Sequence, residues 1–105
     1  MIELGEIVEG LVRRTTEGKL KWSRTVENDR FITSVDTISV VIEEIQHPDY
    51  RLDILDESGQ TVESLGFLDT TTEQEEQLAH LYALARRSAL DIDSALEKLA
   101  KALEL

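Results

Sequence analysis

Two histidines, 22 acidic residues and no cysteine stand in this chain of 105, so the search for acid–base or metal chemistry begins with imidazole and carboxylate. His47-Pro48-Asp49 sets one of each on a short segment. Two such groups do not make a metal site. Proline donates no backbone hydrogen bond and biases its predecessor away from helix, so the segment reads first as a break between strands. His80 follows Glu76 by four residues and Glu73 by seven, which puts all three near one helical face. The paired Glu-x-x-His arrangement of di-iron bundles is missing. The same spacing arises by chance in an acidic helix, and a solvated polar face is the preferred reading. Carboxylate pairs for general acid–base work are equally unspecific at this acidity. Asp53, Asp56, Glu57 and Gly59 fall close together as in a calcium loop, but ligands are lacking at the alternating positions, and a strand with a hairpin turn accounts for them better.

The absence of cysteine removes disulfide frameworks, thiolate nucleophiles, zinc fingers and iron–sulfur clusters together. No G-x-x-x-x-G-K-[ST], G-x-G-x-x-G or G-x-S-x-G run occurs, so phosphate cradles and nucleophile elbows find no support. The expectation is a chain with no catalytic residue, no metal ligand and no cofactor.

The remaining candidates are for contact. Trp22, the one tryptophan, stands two residues before Arg24 on the same side of a strand, an aromatic anchor beside an arginine. The competing reading places Trp22 in the core under the first helix and pairs Arg24 with an acid. Leu96, Leu99 and Leu103 form a stripe on the last helix that either packs on its own core or meets a partner.

Charge narrows the choice of partner. Residues 1 to 30 hold six basic and six acidic side chains, so the net charge of -11 arises in the remainder, with five basic against sixteen acidic. Such a field repels phosphate backbones and anionic lipid heads and favours basic surfaces, although it also serves plain solubility. Arg13, Arg14, Lys19, Lys21 and Arg30 make at most a small basic patch without interleaved aromatics. Neither nucleic acid nor membrane is an expected partner. The first residues lack a basic n-region and a long apolar stretch, so cytoplasmic residence is expected.

The elements that position these residues follow from periodicity. Leu4, Ile7, Val8 and Leu11 share one helical face, predicting a helix from Ile2 to Thr16 that Gly18 ends by taking positive φ. The period then becomes two. Strands are predicted over Leu20–Val26, Arg30–Ser34, Thr37–Ile45, Tyr50–Asp56 and Gln60–Phe67, joined by turns at Glu27-Asn28-Asp29, Val35-Asp36, Gln46–Asp49 and Asp56–Gly59. Connections this short leave no room for parallel crossovers. Two overlapping capping boxes, Thr70 with Glu73 and Thr72 with Glu75, announce a helix with Leu78, Leu81, Tyr82, Ala85 and Ala89 on its apolar side. Asp91 or Asp93 would then cap a last helix carrying Ile92, Leu96, Leu99 and Leu103. The prediction is one α+β domain over residues 1–105: an N-terminal helix, an antiparallel meander of about five strands, and two C-terminal helices packed on one sheet face.

Three segments, Gly18-Lys19-Leu20-Lys21-Trp22-Ser23-Arg24-Thr25, Tyr50-Arg51-Leu52-Asp53-Ile54-Leu55-Asp56 and Leu78-Ala79-His80-Leu81-Tyr82-Ala83-Leu84-Ala85-Arg86-Arg87, resemble a family of small uncharacterised bacterial α+β proteins. That family has no established activity, and the resembling positions look structural, so the resemblance implies a fold and transfers no site residue.

Function is therefore expected to be non-enzymatic: an acidic protein-interaction module, adaptor-like, able to form a homodimer or to meet a basic protein. The alternative is an inhibitor, immunity protein or secretion chaperone binding a basic partner. A small carboxylate-dependent enzyme or metal protein using Glu73, Glu76 and His80 ranks third.

Overall fold

A computed structural model describes residues 2–46, 49–66 and 71–105. The predicted order of elements is present. Helix α1 (Leu4–Thr16) precedes strands β1 (Ser23–Arg24), β2 (Arg30–Val35), β3 (Ile38–Gln46), β4 (Asp49–Leu55) and β5 (Thr61–Gly66), followed by helices α2 (Thr72–Ala89) and α3 (Ile92–Ala102). All strand pairings are antiparallel and the spatial order β1-β2-β3-β4-β5 is the chain order, a plain meander.

Helix α1 ends as its sequence predicts. Gly18 takes φ 75° while the amides of Gly18, Lys19 and Leu20 return to Thr15 and Arg14 carbonyls, which satisfies the last turn. Strand β1 is much shorter than Leu20–Val26, because its neighbours' backbone groups are claimed elsewhere. The Trp22 amide donates to Ser88 Oγ on α2 at 3.0 Å. Lys21 O accepts from Thr33 Oγ1 at 2.7 Å, and Thr25 Oγ1 donates to the Glu27 and Arg30 carbonyls. The β2–β3 connection is Asp36-Thr37, one residue later than predicted, with Asp36 at φ 59° and Val35 paired to Ile38. At the β4–β5 hairpin, Asp56 Oδ1 accepts from the amides of Ser58 and Gln60 and from Ser58 Oγ. Those bonds, the Ser58 hydroxyl foremost, hold the Asp56 carboxyl below the usual carboxylate range. The predicted turn at His47-Pro48 lies outside the described residues.

One face of the sheet carries the core. Phe31, Val40, Ile42, Tyr50, Leu52 and Leu65 alternate inward from the strands and meet Val8 and Leu11 of α1 and Leu78, Leu81, Tyr82 and Ala85 of α2. Tyr82 stacks at a tilt on Phe31 and Tyr50, with centroids 5.6 and 5.1 Å away. Burial, with the nearby Asp29 carboxylate second, pushes the Tyr82 phenol up to about 12. Burial likewise raises Tyr50, with Glu44 adding to it. The opposite face aligns Arg30, Glu43 and Arg51 in one cross-strand row, and Asp53 accepts from Arg51 Nε at 3.0 Å.

The start of α2 corrects the capping prediction. Thr71 is the N-cap: its Oγ1 accepts from the Gln74 amide at 3.2 Å, and Gln74 Oε1 accepts from the Thr71 amide at 3.0 Å. Thr72 is already helical, so a Thr72–Glu75 box does not form, while Thr70 of the other predicted box lies outside the described residues. Between α2 and α3, Asp91 takes the left-handed conformation (φ 51°, ψ 49°) with no side-chain cap bond. Asp93 does not cap either; it binds Arg87 Nη2 and Nε at 2.6 and 3.0 Å. Helix α3 also departs from the predicted packing. It meets α2 rather than the sheet and buries no residue.

Candidate interaction surface

Helices α1 and α2 run parallel. Gln77 Nε2 reaches Glu9 Oε1 at 3.4 Å near their starts, while near their ends Trp22 bridges them, its indole N–H donating to Thr15 Oγ1 at 3.0 Å and its amide to Ser88. Parallel dipoles repel, and the side chains offset this. Glu6 and Glu73 stand in the first turns, Arg13, Arg14, Arg86 and Arg87 in the last. Exposed Glu3, Glu6, Glu9, Glu73 and Glu76 thus collect toward one end of the helix pair and four arginines toward the other.

Trp22, a candidate anchor in the sequence, is 4% exposed and belongs to the core. It is corrected from contact residue to structural post. Arg24 is exposed on β1 and makes no ion pair with any described residue, so the expected pairing with an acid is not found. Glu73, Glu76 and His80 are all exposed. Among the described residues no group of three His, Asp or Glu side chains could hold a metal ion. His47 lies outside the described residues.

The leucine stripe fares differently. Leu96, Leu99 and Leu103 are 52, 54 and 59% exposed, which overturns the reading that packs them on their own core. An amphipathic helix without tertiary burial has little to hold it, and here its first turn is tied to α2 by the Arg87–Asp93 ion pair. The radius of gyration, 14.7 Å, exceeds the roughly 13 Å of a compact chain of this length. Its largest extent is 51 Å against 30 and 26 Å. Sequence periodicity identified the stripe; only the fold could tell that none of the described residues covers it.

A second apolar surface was not anticipated. Between α1 and the sheet lies an open groove of about 340 Å³, lined by Ile7, Gly10, Leu11, Val35, Ile38 and Ile54 with Glu6 and Arg14 at its rim. No residue of α2 or α3 lines it. Ile7, which the helical pattern assigned to the buried side of α1, is 37% exposed here. The isoleucine and valine content of the strand ends was the available signal, but periodicity cannot show that a helix stops short of covering them.

No family model, curated protein or solved structure matches this chain. No described helix is long and apolar enough to cross a membrane.

Proposed function

We propose that this chain is a non-enzymatic, acidic protein-interaction module, adaptor-like and cytoplasmic, that engages its partner through α3. The observation that carries this reading is the exposed stripe of Leu96, Leu99 and Leu103 on a helix that buries none of its own residues. An unpartnered apolar stripe on a charged protein marks an interaction surface. The net charge of -11 sets the sign of the approach: a basic partner is steered in, while nucleic acid and anionic membrane are held off.

The test compares wild type with the Leu96→Glu/Leu99→Glu variant by light scattering coupled to size exclusion and by pull-down at low and moderate salt. Wild type should self-associate or retrieve a partner, and the variant should do neither. A monomeric wild type that retrieves nothing at low salt would overturn the reading.

A further inference from the structure

We infer that Leu90-Asp91 is a hinge, about which α2 and α3 interconvert between the bent pair and one continuous helix running from Thr72 to Ala102. The hinge sets the direction in which the leucine stripe is presented, whatever meets it. Three observations carry it.

The first is the apolar pattern. Tyr82, Ala85, Ala89, Ile92, Leu96, Leu99 and Leu103 follow one another in alternating steps of three and four, with no slip where α2 gives way to α3. That repeat keeps a seam on one side of a single helix. Two independent helices joined by a corner have no need to share its register.

The second is the chemistry of the break. No glycine or proline occurs from Thr72 to Leu105, yet Asp91 holds φ 51° and ψ 49° and gives α3 no side-chain cap. Left-handed backbone is costly for a residue with a Cβ. Running the helix on relieves that cost and returns the first amides of α3 to carbonyls of the preceding turn.

The third is the tie between the helices. Among the described residues, the side-chain bond that joins α2 to α3 is the Arg87–Asp93 pair, at 2.6 Å with both side chains more than half exposed. It belongs to the bent form alone. Six residues apart on one helix, the two side chains point about 120° away from each other, whereas Arg87 and Asp91 fall four apart and become neighbours. Exposed ion pairs contribute little, and α3 buries no residue that would lock the bend. Arg87–Asp93 is thus a latch that opens at small cost.

The experiment measures the bend directly. The chain has no cysteine, so His80→Cys/Lys101→Cys places two spin labels at exposed positions 21 residues apart. In a continuous helix their Cα atoms stand about 31.5 Å apart, and any bend brings them closer. Pulsed electron resonance on labelled chain diluted into unlabelled chain reads distances within one molecule, so self-association does not enter. Wild type should show a short distance and a second population near the straight-helix value. Asp91→Ala, for which the left-handed conformation is costly, should enrich the straight form, and Asp91→Gly, for which it is free, should deplete it, the ratio of the two forms differing roughly tenfold between these variants. Asp93→Ala, which removes the latch, should also enrich the straight form. A single distance, short or long, that is unchanged across wild type, Asp91→Ala and Asp91→Gly would overturn the hinge and make the junction a fixed corner.

Discussion

Ser88 Oγ on α2 accepts the backbone amide of Trp22 at 3.0 Å across 66 residues of chain, and the same tryptophan reaches Thr15 on α1 with its indole. One residue therefore fastens both helices to the edge of the sheet. Trp22 is almost fully buried, so removing Ser88 Oγ leaves a donor without a partner and away from water. Ser88→Ala should cost about 1–3 kcal/mol in denaturant unfolding, whereas Ser88→Thr, which keeps the hydroxyl, should cost less.

Core and stripe leucines should separate cleanly. Leu81 is fully buried and Leu99 is more than half exposed. Leu81→Ala should lower stability by about 2–5 kcal/mol, with a cavity left in the core to which Leu81 belongs. Leu99→Ala, measured at a concentration where the chain is monomeric, should stay within about 0.5 kcal/mol of wild type. Equal losses would place α3 inside the core.

Two positive-φ positions should respond in opposite directions. Gly18 sits at φ 75° and Asp91 at φ 51° without a cap bond. Gly18→Ala should destabilise by about 1 kcal/mol, and Asp91→Gly, which relieves left-handed strain and gives up no capping contact, should stabilise by a similar or smaller amount. Thermal unfolding of the pair checks both signs.

Alkali should unfold the protein through its tyrosines. In the unfolded chain a phenol ionises near 10, but Tyr82 holds its proton to about 12, chiefly through burial and then the Asp29 carboxylate. The folded state binds more protons over that interval, so the stability is fully present below pH 10 and falls as pH rises from 10 toward 12. Ultraviolet difference titration should show ionisation later than in free tyrosine, and Tyr82→Phe should flatten the fall in stability. A normal titration would place the ring in solvent.

The sheet was legible because its information is local. Tyr50 and Leu52 alternate with the charged Arg51 and Asp53, and Asp56 and Gly59 supply the hairpin chemistry within a few residues. Strand β1 was not, because the groups that interrupt it, Ser88 and Thr33, are distant in sequence. The cap of α2 was ambiguous for another reason. Each of Thr70, Thr71 and Thr72 has a Glu or Gln three residues on, so three registers satisfy the same local rule and packing selects Thr71. Of the contact candidates, Trp22 carried the right chemistry for an anchor and for a core residue alike, and only burial separates the two. The stripe on α3 showed which side is apolar but not what covers it.

The meander has a kinetic corollary. Each strand pairs with its neighbour in sequence, so the sheet can zip from any of its hairpins with short loops to close. The costly closure is the one that brings Ser88 to Trp22 and lays α2 beside α1, because a loop of that length must be pinned before its contacts repay the lost freedom. Helix docking, rather than strand pairing, should therefore set the folding rate, and α3, which takes no part in that closure, should leave the rate unchanged when its leucines are altered.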